Sequence, residues 1–169
     1  MEGILRIAGL VNDSIVDGPG IRFTVFVQGC PHACEGCHNP QTWDFEAGRY
    51  ATLDEIVERI RHNPLLDGVT FSGGEPFCQA KPLAELGKRI KDMGLGLITY
   101  TGYVYEYLLS HANEDNGYMD LLKVTDILID GPFVLSKKSL ELDFRGSSNQ
   151  RIIDVRQSLA QGNTVEAAL

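Results

Sequence analysis

Short apolar runs alternate with stretches of helical period along most of the chain. Residues 4–11 and 22–28 read as strands, the second dense in β-branched and aromatic side chains. Residues 12–20, with Asp, Ser, Gly and Pro, read as the loop between them. Thr52-Leu53-Asp54-Glu55 is a capping box that opens a helix to about residue 62, with Ile56, Val57 and Ile60 on its apolar face and Pro64 beyond its end. Residues 68–71 form a short buried strand, followed by the turn Ser72-Gly73-Gly74-Glu75-Pro76. Residues 81–93 carry Leu83, Leu86, Ile90 and Met93 at helical spacing, with Gly94 placed to close the helix. Residues 95–100 and 126–130 are further strands, with helices predicted at 104–111 and 119–123 and a polar loop at 113–117 between those helices. Residues 131–149 show little periodicity and read as a long loop. A last strand at 151–155 and a short helix precede a tail, from Gln161, expected to fray.

Strands and helices in alternation make βαβ units and a mainly parallel sheet. A complete eightfold barrel takes about 250 residues, and this chain has 169. The expected α/β fold is therefore a partial, open βα barrel, one domain over residues 1–169, with its helices outside. Sites in such folds gather at the carboxyl ends of the strands. Cys30, Gly73, Thr101 and Asp130 each closely follow a predicted strand.

Composition changes this picture little. The chain is 43% hydrophobic and 22% charged, ordinary for a globular domain. A net charge of −8 argues against broad contact with nucleic-acid phosphates. No apolar run approaches the roughly 18 residues that span a bilayer. The start, Met1-Glu2-Gly3-Ile4, lacks the basic and apolar regions of a signal peptide, so the expected location is the cytoplasm.

The candidate chemistry lies at Gly29-Cys30-Pro31-His32-Ala33-Cys34-Glu35-Gly36-Cys37-His38-Asn39-Pro40, which holds three of the four cysteines in a C-x3-C-x2-C spacing. Thiolates are soft ligands that suit iron–sulfur clusters, zinc and copper(I). Three on one loop can hold three corners of a cubane and leave the fourth bare. Ferredoxin and structural zinc spacings differ from this one, although a zinc site from Cys30, Cys34, Cys37 and His38 stays open as an alternative. Disulfides do not suit a reducing cytosol.

The triplet, directly after a hydrophobic strand, resembles the signature of the radical S-adenosylmethionine (SAM) enzymes. Asp17-Gly18-Pro19-Gly20-Ile21-Arg22, Phe26-Val27-Gln28-Gly29-Cys30, His38-Asn39-Pro40 and Thr42-Trp43 resemble the glycyl-radical-enzyme activases within that superfamily. Phe144-Arg145-Gly146-Ser147-Ser148-Asn149-Gln150-Arg151 resembles a segment of the anaerobic ribonucleoside-triphosphate reductase activating proteins. Gly36, where many radical SAM proteins have an aromatic residue, agrees with that branch.

The resemblance implies a [4Fe-4S] cluster on Cys30, Cys34 and Cys37, with SAM on the fourth iron. It places Gly73, Gly74, Glu75 and Pro76 at the amino group of SAM, Gly36, Cys37 and His38 along its adenine, and Thr101 and Asp130 near its ribose and carboxylate. No side chain is expected to be catalytic, because the cluster and SAM carry the chemistry: reductive cleavage to a 5′-deoxyadenosyl radical, then hydrogen abstraction from a glycine of the reductase. Flavodoxin or a similar donor would supply the electron, and nucleic acid and membrane are not expected partners. Activation of another glycyl radical enzyme, such as pyruvate formate-lyase, is the alternative, as is a non-catalytic zinc or iron–sulfur module. Cys78 is expected to be a buried small hydrophobe and not a ligand. His32, His62 and His111 are expected to be solvated or structural, and Asp17 to stabilise its turn.

Overall fold

A computed structural model describes residues 3–169. The expectation about the start of the chain falls partly on Met1 and Glu2, which lie outside the described residues. The strands are β1 (Ile4–Ser14), β2 (Arg22–Val27), β3 (Arg49–Thr52), β4 (Gly68–Gly73), β5 (Gly96–Tyr100), β6 (Ile127–Asp130) and β7 (Arg151–Asp154). They form one sheet in the order β3-β1-β2-β4-β5-β6-β7. Its centre, β2-β4-β5-β6, is parallel, as βαβ connections require. β1, β3 and β7 flank it antiparallel. With β3 and β7 at opposite edges, the sheet is open.

The helices are α1 (Leu53–Arg61), α2 (Ala80–Asp92), α3 (Tyr105–His111), α4 (Tyr118–Val124) and α5 (Val155–Gln161). Thr52 and Glu55 exchange both bonds of the capping box at the start of α1. The helices make a layer in which α2 packs against both α1 and α4. The strands' period of two divides two faces. Phe23, Val25, Val27, Val69, Phe71, Leu97, Leu128 and Ile153 join the core beneath the helices. Ile98, Ile129 and Ile152 form a second cluster with Tyr100 and Phe144. Arg22 is buried among the strands, donating to Thr70 Oγ1 at 2.8 Å and to the Val69 carbonyl at 2.8 Å. Burial lowers its pKa, and those acceptors pair its guanidinium.

Three departures from the pattern reading have physical causes. β1 runs three residues beyond 11, because the ladder to β2 resumes at Ser14, opposite Arg22, after an irregularity at Asn12 and Asp13. β3 is only four residues long and exposed at Arg49 and Tyr50, so it carries no apolar alternation to read. The tail does not fray: Gly162 turns the chain back in the left-handed conformation. Asp154 N–H then bonds the Val165 carbonyl and Ala167 N–H bonds the Ile152 carbonyl, both at 2.8 Å. The tail thus covers the free edge of β7. Among the described residues, no helix is long and apolar enough to cross a membrane.

Candidate active site

β2 delivers the chain to the cysteine loop through Gln28, a buried side chain that staples the loop's return. Its Nε2 donates to the carbonyls of Gln41 at 3.0 Å and Asp44 at 2.7 Å. Gly29 has φ +104°, and a Cβ there would sit 2.4 Å from the Phe45 ring, so only glycine fits. Within the loop, Cys37 N–H bonds the Cys34 carbonyl at 3.1 Å, and Asn39 N–H points at Cys37 Sγ at 3.4 Å. Burial pushes the Cys30 thiol pKa up, while a hydrogen bond from the His32 backbone pulls the other way.

The Gly73-Gly74 turn locks onto this loop. A Cβ on Gly73, at φ +98°, would lie 2.5 Å from Val27 N, and one on Gly74 would lie 2.3 Å from the Gly29 carbonyl oxygen. Both neighbours are backbone and cannot give way. Gly74 N–H bonds Val27 O and Glu75 N–H bonds Gly29 O, each at 2.8 Å. The glycines are required by packing between two loops as well as by any ligand.

Cys30, Cys34, Cys37, His38, Gly73, Gly74 and Thr101 line one cavity of about 770 Å³. Phe26, Ser72, Tyr100 and Gly131 complete its strand-end wall, and Phe133 and Phe144 its far side. Those seven residues gather at the carboxyl ends of β2, β4 and β5. Gly36 packs beside the cavity, where a Cβ would meet Leu135 Cδ1 at 2.7 Å. Phe133 lies near that same point and its ring is 5.2 Å from that of His38.

Glu75, Pro76 and Asp130 stand apart from the other candidate site residues. They do not line the cavity; all three are buried behind its wall. Glu75, fully buried, accepts four hydrogen bonds: His32 Nε2 at 2.6 Å, Thr101 Oγ1 at 2.8 Å, Gly102 N at 2.8 Å and Phe77 N at 3.0 Å. Donation to that carboxylate requires a proton on His32 Nε2. Glu75 therefore ties the cysteine loop, the turn after β5 and the start of a short 3-10 turn together. Asp130 accepts from Tyr105 N at 2.8 Å and from Arg151 at 2.6 and 3.0 Å. Its carboxylate is committed to the start of α3 and to β7.

Several cavity residues carried no site role in the sequence reading. His32 lines the cavity, and its ring packs edge-on against Tyr103 at 4.5 Å. Trp43 and Arg145 also line it, and among the described residues Trp43 Nε1 and Arg145 Nε are buried donors without partners. Buried donors are nearly always paired, so these two are suited to an acceptor-bearing ligand. The 144–151 segment forms a wall held by its own side chains. Gln150 Oε1 accepts from Gly146 N at 2.8 Å, and its Nε2 donates to the Gly131 carbonyl at 3.1 Å. Asn149 Nδ2 donates to the Pro132 carbonyl at 2.8 Å. Cys78 is exposed, not buried, and does not line this cavity. His62 and His111 are exposed. Asp17 lines the cavity and accepts from Ser14 and Thr24, the turn role expected of it.

The donor set fits an iron–sulfur cluster. Three half-buried thiols line one cavity, with amide N–H groups near two of the sulfurs, and the volume suits a further ligand of nucleotide size. Among the described residues, no three His, Cys, Asp or Glu side chains are gathered about a single metal ion. In a cluster each thiolate meets a different iron, so no such focus is needed.

Comparison with known proteins agrees with this chemistry. Residues 16–153 match the family described as a 4Fe-4S single cluster domain. The class is thus a single-cluster iron–sulfur protein built on an open βα sheet. The anaerobic ribonucleoside-triphosphate reductase-activating protein of Haemophilus influenzae is 34% identical over 148 residues, covering 82% of this chain and 90% of that protein. The protein of the same name from Escherichia coli K12 is 33% identical over 150 residues, covering 84% and 94%. The pyruvate formate-lyase-activating enzyme of Clostridium pasteurianum is 38% identical over 130 residues, covering 73% of this chain but 50% of that enzyme. The chain belongs to the family of anaerobic ribonucleoside-triphosphate reductase-activating proteins, a branch of the radical SAM enzymes.

Proposed function

We propose that this chain activates an anaerobic ribonucleoside-triphosphate reductase by generating a glycyl radical in it. One observation carries the reading: three thiols and a glycine pair line a single cavity at the carboxyl ends of parallel strands. When bound there, a [4Fe-4S] cluster and SAM supply one-electron cleavage to a 5′-deoxyadenosyl radical able to take hydrogen from a glycine. Cys30, Cys34 and Cys37 would hold the cluster. Cys78, outside the cavity, would supply no fourth sulfur, so one iron would be left to SAM. Gly73 and Gly74 present bare backbone to the ligand. Trp43 Nε1 and Arg145 Nε offer unpaired donors to its polar groups, and His38 and Phe133 offer ring faces to its adenine. Glu75 and Asp130 act from behind, holding the turns that shape the site. The surrounding apolar wall limits water while the partner closes the mouth.

The reading takes flavodoxin or a similar one-electron donor as reductant and the cytoplasm as the site of action. The test is anaerobic reconstitution followed by incubation with the reductase, SAM and reduced flavodoxin. The expected result is a glycine-centred paramagnetic resonance signal in the reductase. SAM cleavage without that signal would overturn the assignment of the target. The 38% identity to the pyruvate formate-lyase-activating enzyme supports a second target. A parallel incubation with that lyase separates the two.

A further inference from the structure

His32 links the cavity to the outer face of α3. It lines the cavity, and its ring packs edge-on against Tyr103 with centroids 4.5 Å apart. Tyr103 stacks on Tyr107 at 4.9 Å with the planes 3° from parallel, and Tyr107 stacks on His111 at 3.9 Å and 19°. Residues 103, 107 and 111 recur every fourth position, a spacing that puts them on one stripe of the helix and the turn before it. Tyr103 is half-buried, Tyr107 is 38% exposed and His111 is exposed. None of those three lines the cavity. The four rings therefore lead from the cysteine loop to solvent by a way that does not pass through the cavity.

Core packing accounts for Tyr103 but not for Tyr107 and His111, because α3 gives Tyr105 and Leu108 to the core from its other face. Polar contacts fix both ends of the stack. His111 Nδ1 lies 3.0 Å from the Tyr107 carbonyl oxygen and 3.0 Å from Ser110 Oγ. His32 Nε2 lies 2.6 Å from Glu75 Oε1, and the same carboxylate accepts from Thr101 Oγ1 and Gly102 N on the turn that delivers Tyr103. A Cβ on Gly102 would lie 2.5 Å from His32 Cδ2, so glycine there lets the imidazole reach Tyr103. At the inner end, the His32 backbone bonds the Cys30 sulfur.

An electron tunnels through protein at a rate that falls steeply with distance, and more steeply across gaps than through atoms in contact. Stacked rings give such contact, and this stack begins at a thiol proposed to bind the cluster. We infer that His32, Tyr103, Tyr107 and His111 form the route by which an electron reaches the cluster from the surface. This rests on the reading above, in which a cluster on Cys30, Cys34 and Cys37 must be reduced before SAM is cleaved, and it adds where the electron enters. A one-electron donor such as a reduced flavin loses the electron and the cluster gains it. The rings keep their own oxidation states, no bond forms or breaks, and no proton crosses them. Entry through α3 leaves the cavity mouth free for the target glycine.

The test is a ruthenium photosensitiser attached to His111 of the reconstituted chain, in a background carrying His38→Gln and His62→Gln so that no other exposed histidine is labelled. A flash reduces the label, and bleaching of the cluster's visible absorbance times the transfer, with neither SAM nor reductase present. Tyr103→Leu with Tyr107→Leu should slow the transfer by an order of magnitude. Tyr103→Phe with Tyr107→Phe keeps both rings and should match the parent. A leucine pair as fast as the parent would overturn the route, as would a phenylalanine pair as slow as the leucine pair. Tyr107→Leu alone, at an exposed position, should also slow the transfer, and an unchanged rate there would overturn the route even if the leucine pair failed to fold. Failure of the activation reading would look different: the electron would arrive at the parent rate, yet added SAM would not be cleaved.

Discussion

Replacing Glu75 by Gln tests how the site is held together. All four partners of this buried carboxylate are donors in the structure: His32, Thr101, Gly102 and Phe77. Thr101 can rotate its hydroxyl to accept, but the two backbone N–H groups cannot. Oε1 faces Gly102 N and Oε2 faces Phe77 N, so either amide orientation sets an NH2 group against one of them. An unpaired buried donor costs about 1–3 kcal/mol, and the remaining bonds lose their charge assistance. Relief of the buried charge offsets part of this. The net loss should be about 2 kcal/mol, or about 4–8 °C in Tm for a chain of this size. Urea unfolding of the cluster-free chain, under reducing conditions, reads it as a lower midpoint at unchanged slope. Glu75→Ala should cost more, because it orphans every donor at once. If Glu75→Gln unfolds within about 0.5 kcal/mol of the parent, Glu75 is not the brace described.

Other outcomes follow from the same geometry. Gly73→Ala combines a left-handed φ with a Cβ 2.5 Å from backbone, and should destabilise the cluster-free chain by about 3 kcal/mol in the same unfolding assay. Cys34→Ala should abolish the cluster and SAM cleavage, whereas Cys78→Ala should retain both by iron, sulfide and product analysis. Acid unfolding should show the Glu106 pair. Hydrogen bonds from Arg151 lower the Glu106 pKa from 4.5 to about 2. Between those values the unfolded chain binds the extra proton, so stability from this group is complete above about pH 4.5 and is lost as pH falls to about 2. Glu106→Gln should flatten that part of the stability profile.

The cysteine triplet was legible because its chemistry is encoded in local spacing. The order of strands and helices was legible because each apolar run carries its own period. Glu75 was harder. It follows two glycines at a strand end, where a ligand contact and a structural brace look alike, and its partners come from residues 32, 77, 101 and 102. Asp130 poses the same problem, since Arg151 reaches it only after β7 pairs with β6. Gln28 and Trp43 gain their roles from the return of the cysteine loop, which no periodicity marks. Cys78 was read as buried because isolated thiols usually are, but the 3-10 turn at Pro76–Gln79 carries it to the surface.

The central proposal is that this polypeptide supplies only three sulfurs to its cluster. Paramagnetic resonance with hyperfine detection on the reduced, reconstituted chain, using SAM labelled with nitrogen-15 at its amino group, tests it most directly. The account predicts a changed cluster signal coupled to the label. An unchanged signal without coupling, from a cluster already bound by four protein side chains, would contradict it.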